Sequence, residues 1–295
     1  MDRWFKFEEN WLLWDDYEAV IQEAWSMAGS RETGLASVKE KISACGADLK
    51  AWGAVKTELD VEAIKQLQNW LDSLNRADTT DYSKAEYLEV SKKLDDLLLN
   101  QEIYWAQRSR VSWLKHGDKN MKFFYSKASQ RRRRNHIKGM KNAQDHWVDE
   151  IKDIAKVAVE YFDSLFCASS CDQVVECLNT VSGKVTPDMQ EILSSDFSAE
   201  EIKAAVFQMG PTKALRLDGM NALFYQKFWH VVGETIVTAV LDFLNDGIML
   251  PAINHTNIVL IPKVKNPEKM SDFKPISLCN VIYKIISKVL ANRLK

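Results

Sequence analysis

The apolar positions between residues 83 and 104 recur at alternating spacings of 3 and 4, and this period constrains the fold more than any other feature. Tyr87, Val90, Leu94, Leu97, Gln101 and Tyr104 fall on one stripe. A period of about 3.5 belongs to a helix that packs lengthwise against another helix. Upstream, Ile64, Leu67, Leu71 and Leu74 stand 3, 4 and 3 apart within a helical stretch from about 35 to 74. Only a polar break, Asn75 to Tyr82, separates the two stretches. So short a break turns the second helix back on the first, which predicts an antiparallel hairpin with a coiled-coil-like seam. Ser83-x-x-Glu86 reads as the capping box that opens the second helix. The seam serves equally an amphipathic pair packed on its own domain or a free-standing coiled coil, which would allow helix-mediated self-association.

Elsewhere the period changes along the chain. Residues 11–28 predict a short Trp-rich helix containing Trp11, Trp14, Val20, Ile21 and Trp25. Ile137 and Met140, then Trp147 and Val148, flank the polar run Lys141 to Asp145 and predict a small β-hairpin. Helical spacing resumes over 150–166, and the polar, Ser-containing residues 167–197 read as a flexible connector. Ser198-x-x-Glu201 opens a capped helix that ends at Gly210-Pro211. One long helix is expected from about 220 to 245, closed by Asn245-Asp246-Gly247. Thr256 to Ile261 is a partly β-branched run that predicts a strand. A last helix over 280–295 has Val281, Ile282, Ile285, Ile286, Val289 and Leu290 on its apolar side. A helix still running at Lys295, one strand into a sheet, predicts a truncated fold with an unpaired strand edge and an uncovered apolar face. The fold class is α+β, mostly helical. Its expected parts are a helical region 1–104, a basic segment with hairpin and helix 105–166, the connector 167–197, and a final α+β region 198–295.

Net charge is −2, which conceals a strong segregation. Residues 105–141 hold 12 Lys+Arg against 1 Asp+Glu, and residues 256–295 hold 8 against 2. The intervening residues 142–255 hold 7 against 17, and residues 1–104 hold 12 against 21. Two basic segments set between acidic ones imply two surfaces for a polyanion, RNA or DNA. The run Arg131-Arg132-Arg133-Arg134 is the densest part, flanked by Lys122, Lys127, Lys138 and Lys141. Phe123, Phe124 and Tyr125 beside it are candidates for stacking on bases, against a role in the core. The four-Arg run also reads as a nuclear-import signal.

Other classes are disfavoured. No run approaches the ~18 apolar residues of a spanning helix, and no signal peptide is evident, so the chain is expected inside the cell, nuclear or cytoplasmic, and off the membrane. Five cysteines, Cys45, Cys167, Cys171, Cys177 and Cys279, are an odd number and fit free thiols in a reducing compartment. The gaps among the middle three match no zinc pattern, so no metal site is expected. His116, His136 and Asp118 read as phosphate-contacting, exposed or capping residues within the basic stretch.

Three stretches carry a family resemblance. Tyr104-Trp105-Ala106-Gln107-Arg108-Ser109-Arg110 leads through Trp113-Leu114-Lys115-His116-Gly117-Asp118-Lys119-Asn120 to Lys122-Phe123-Phe124-Tyr125. Gly210-Pro211-Thr212-Lys213-Ala214-Leu215-Arg216-Leu217-Asp218-Gly219 is followed by Phe224-Tyr225-Gln226-Lys227-Phe228-Trp229. Ile258-Val259-Leu260-Ile261-Pro262-Lys263 continues to Asp272-Phe273-Lys274-Pro275-Ile276-Ser277-Leu278. In this order they resemble the blocks of plant-type non-LTR (LINE) retrotransposon reverse transcriptases that join endonuclease to polymerase and begin the fingers. The resemblance implies a fragment of an RNA-directed DNA polymerase, with 198–295 an N-terminal extension and incomplete fingers. The charge of the basic stretch makes Arg108, Arg110, Lys115, Lys119, Lys122, Lys127, Arg131, Arg132, Arg133, Arg134 and Lys138 the candidate nucleic-acid contacts. The resemblance also implies potential template or triphosphate contacts by Lys263 and Lys274.

Departures qualify it. The family's Pro-Gly-Pro ahead of Asp218-Gly219 is here Leu215-Arg216-Leu217, and Lys274 stands where the family has a planar Arg fork. The family's Mg²⁺-holding carboxylates, in an F-x-x-D strand and an ADD hairpin, do not occur after Asn280. The expectation is therefore a nucleic-acid-binding fragment with no catalytic residue, no cofactor of its own and no polymerase activity. The rival is a helical protein-interaction module whose basic patch is incidental.

Overall fold

The computed structural model describes residues 5–28, 33–76, 81–111, 121–167, 185–213, 218–247 and 249–295. As predicted, the described chain is mostly helical α+β; it has two small β-hairpins where the sequence predicts one. It divides into two compact units. The first comprises Met1–Arg131, Ser198–Asn257 and Leu278–Val289; the second comprises Arg132–Phe197, Ile258–Ser277 and Leu290–Lys295.

In the first unit a 3-10 turn, Glu9–Leu13, precedes α1 (Tyr17–Met27), α2 (Gly34–Arg76) and α3 (Asp81–Ser109). Leu35, Val38, Ile42, Cys45 and Leu49 of α2 are buried at helical spacing, giving α2 one continuous inner face. Further along, burial thins to Ile64 on α2 and Val90 on α3. The antiparallel pairing of α2 and α3 is marked by Asn100 Nδ2 donating to Asp60 at 2.8 Å. The capping box at Ser83 is not where α3 begins: the helix already starts at Asp81, which puts Ser83 and Glu86 within it.

The remaining helices of this unit are α7 (Ala199–Phe207), α8 (Ala222–Lys227), α9 (Trp229–Asp246) and α10 (Pro251–Asn254). The predicted capping box opens α7, with Ser198 Oγ accepting from Glu201 N and the Glu201 carboxylate accepting from Ser198 N. Gly247 closes α9 at φ 73, as its position after Asn245-Asp246 predicts. The single long helix expected from 220 to 245 is two. Phe228 takes ψ 23 between them, and its ring is buried against Phe7, Tyr17 and Phe224 with centroids 6.2, 5.5 and 5.3 Å away. Burying that ring outweighs one more helical residue.

Helix α11 (Val281–Arg293) buries Val281, Ile282, Ile285, Ile286 and Val289, so the apolar face predicted to lie uncovered is covered. Leu290, counted on that face, is instead 43% exposed.

The second unit is built on two hairpins. Strand β1 (Met140–Lys141) pairs antiparallel with β2 (Trp147–Val148), with Met140 opposite Val148. No glycine is needed in this turn because Asp145 takes φ 62 and Asn142 Oδ1 accepts from Gln144 N and His146 N. Strand β3 (Asn257–Pro262) pairs with β4 (Phe273–Leu278), a partner the sequence reading did not give it, and the two-stranded sheet leaves the outer edge of each strand without a neighbouring strand among the described residues. Lys141 N donates to Glu268 O at 2.6 Å and ties the two hairpins together. Met140, Met270 and Phe273 form the buried core, packed by Ile137, Val148 and Leu260 and by Ile154, Val157 and Phe162 of α5 (Ile151–Phe166).

The expected connector 167–197 contains a helix, α6 (Pro187–Ser194). Thr186 Oγ1 accepts from Met189 N at 3.3 Å, and Pro187 supplies the fixed φ that suits a first helical position. Residues 168–184 lie outside the described residues.

Candidate nucleic-acid interface

The basic run folds as the end of α4 (Met121–Arg134). Phe124 is fully buried, which removes it from the proposed stacking set and makes it the residue that fixes this helix to the protein. Phe123 is half-buried against Phe124 and lies under the Lys127 ammonium, 5.5 Å from the ring centre. Tyr125 remains 53% exposed beside Trp105, with ring centroids 4.7 Å apart. It is the exposed member of the three aromatics.

Arg131, Arg132, Arg133 and Arg134 are all exposed and occupy the last turn of α4. The partial negative charge at a helix C-terminus favours cations there, which explains how four adjacent arginines are tolerated. Among the described residues, no carboxylate lies within ion-pairing distance of these four, nor of Lys122, Lys127 or Lys138. Unneutralised cations along one exposed segment are what a phosphate backbone requires.

Two of the predicted contacts are otherwise engaged. Arg108 forms a two-point ion pair with Glu8, at 2.8 and 2.7 Å, and its guanidinium stacks 3.3 Å over Tyr104. Arg110, at φ 59 just past α3, donates to the Thr212 carbonyl. Although the residue is exposed, packing around its guanidinium, and then the like charge of Arg131, pull it below the ordinary arginine range. Lys115 and Lys119, with His116 and Asp118, lie outside the described residues, and so do Leu215-Arg216-Leu217.

The second unit holds Arg132, Arg133, Arg134 and Lys138 together with Lys263 and Lys274. Lys274 is exposed on β4; Lys263 Nζ donates to Ser271 O at 2.9 Å across the β3–β4 turn. Asp272 shapes that turn by accepting from the backbone N–H groups of Lys269 and Glu268, which holds its carboxyl below the usual range. Two nearby lysines are spent on ion pairs: Lys141 on Glu268 at 2.7 Å and Lys269 on Asp145 at 3.5 Å. The Glu268 contact holds the Lys141 ammonium above its ordinary value. Lys265, exposed in the same turn, is a cation that motif reasoning passed over because it lies between the matched blocks.

Among the described residues no group of three or more His, Cys, Asp or Glu side chains is placed to hold a metal ion. Cys45, Cys167 and Cys279 are free thiols. No described helix is long and apolar enough to cross a membrane.

No protein-family model matches the chain. Its sequence is similar to a Xenopus laevis protein described as "Transposon TX1 uncharacterized 149 kDa protein", 24% identical over 217 residues. The match covers 72% of this chain and 16% of that protein, so the chain spans a minor part of its relative. This likeness to a transposon protein agrees with a retrotransposon origin for the sequence.

Proposed function

We propose that this chain is a nucleic-acid-binding fragment of a non-LTR retrotransposon reverse transcriptase, and that by itself it does not polymerise. The observation that carries the reading is the exposed, unneutralised Arg131–Arg134 turn at the end of an α4 anchored by Phe124. The three sequence blocks and the similarity to a transposon protein support the ancestry. The reading that this stretch does not polymerise by itself is supported by Lys274, which stands where the family has an arginine fork. Extension of a primed RNA template with Mg²⁺ and deoxynucleotides tests it: no product is expected, alongside retention of the same RNA in a mobility shift. Template-directed product overturns the second half, and absence of any shift at low salt overturns the first.

One observation favours a second reading, a helical interaction module. The α2–α3 hairpin leaves Leu59, Val61, Trp70 and Leu88 exposed at 60, 55, 46 and 69%. Light scattering without nucleic acid separates the two, because a persistent dimer favours the interaction module.

A further inference from the structure

The first unit contains a cavity of about 340 Å³ whose lining brings together parts of the chain far apart in sequence. One wall is the α2 face from Lys39 through Ser43, Gly46 and Ala47 to Lys50. Residues 39, 43, 46 and 50 recur at helical spacing, so they share a face. At its middle Gly46 has no side chain, and the space holds the Phe5 ring, 3.3 Å from where a Cβ would stand. Ile253, His255, Leu278 and Ile282 also line the cavity. Asn280 also lines it, but both ends of its amide are used, Nδ2 on Ile253 O and Oδ1 on Tyr283 N.

The cavity is thus apolar with one aromatic wall, and its rim is cationic. Lys39 and Lys50 are exposed, and neither pairs with a carboxylate among the described residues. Both line the cavity, eleven residues and roughly 16 Å apart along the helix. Asp218 is the acid on the lining, and its Oδ1 accepts from Met220 N. A volume near the lower end of small-ligand sites suits one flat ring system better than an extended chain.

We propose that this cavity seats one unstacked base of a single-stranded nucleic acid, with the neighbouring phosphates on Lys39 and Lys50. The proposal rests on the nucleic-acid-binding reading and adds to it a second contact, remote in sequence from Arg131–Arg134. The base stacks on Phe5 and fills the apolar floor, while the strand leaves past both lysines.

The test uses the full chain and a short RNA carrying one 4-thiouridine, photocrosslinked and mapped by mass spectrometry. Crosslinks are expected in peptides containing residues 39–50 or 252–255. Ala47 is exposed, so Ala47→Phe narrows the mouth without disturbing the core, and it should lower the yield at these peptides by about tenfold. Lys39→Ala with Lys50→Ala should lower it as well, by weakening the flanking phosphate contacts. If the RNA binds yet crosslinks only elsewhere, or neither variant changes the yield, the cavity is not a base site and the proposed function stands. If the wild-type chain binds no RNA at about 50 mM salt, where phosphate contacts are strongest, both readings fall together.

Discussion

Arg108 grips Glu8 through both terminal guanidinium nitrogens, at 2.7 and 2.8 Å, and so ties the end of α3 to the N-terminal segment. Around this pair Gln107 Nε2 donates to Phe7 O, Glu9 N donates to Gln107 Oε1, and Phe7 N donates to Gly219 O. Phe7 itself is buried against Trp11, Phe224 and Phe228. The cation is therefore part of the frame, and its removal should read out as lost stability. Arg108→Ala is expected to cost about 2–4 kcal/mol, since it leaves the largely buried Glu8 without its partner. Arg108→Lys should recover only part of that, because an ammonium cannot make the fork or stack on Tyr104. Thermal denaturation checks the stability, and RNA affinity measured below the transition should be nearly unchanged for both variants.

Gly219 and Gly247 both sit in the left-handed region, at φ 70 and φ 73, yet alanine should affect them differently. At Gly219 a Cβ would collide with the Phe5 carbonyl, whereas at Gly247 nothing lies within 4 Å. Gly247→Ala is expected to cost about 1 kcal/mol, the backbone penalty alone. Gly219→Ala should cost at least twice that, because Phe5 and the hydrogen bond from Phe7 must shift as well. Denaturant midpoints of the two variants decide it, and equal losses would contradict the close approach at Gly219.

Burial pushes the Cys45 thiol up to about 12, from 9.0 in the unfolded chain. A group whose folded value is raised contributes stability that is complete below pH 9 and is lost as pH climbs towards 12. The wild type should therefore lose stability over that alkaline window more steeply than Cys45→Ala, once the cavity cost of that variant is subtracted. At pH 8 an alkylating reagent should label exposed Cys167 quickly and Cys45 only on unfolding. Rapid labelling of Cys45 in the native chain would contradict its burial.

Much of the fold was legible where local and tertiary signals agree. The stripe through Val90, Leu94 and Leu97 marks the inward side of α3; Ser198 and Glu201 form their box; the hairpin at 140–148 stands at its predicted place. The misses have identifiable causes. At Phe228 the burial of one ring interrupts a helix that periodicity alone would continue. At Thr186-Pro187 a short helix start was hidden in a polar stretch. Strand β4, with Lys274, Pro275 and Ser277 in it, lacks the apolar run that revealed β3 and depends on its partner. For the candidate interface, charge density located Arg131–Arg134, but sequence could not separate an exposed arginine from one held by Glu8. That distinction depends on a contact between residues 100 positions apart.

Nucleic-acid binding, as proposed, rests most directly on the arginine turn of α4. The deciding measurement is RNA affinity across a salt series for the wild type and for a variant carrying Arg131→Ala, Arg132→Ala, Arg133→Ala and Arg134→Ala. All four side chains are exposed, so the variant should fold as the wild type does. The predicted result is a steep fall of wild-type affinity with salt and a variant whose logarithmic slope is shallower by about three. Equal slopes and equal affinities for the two proteins would contradict it.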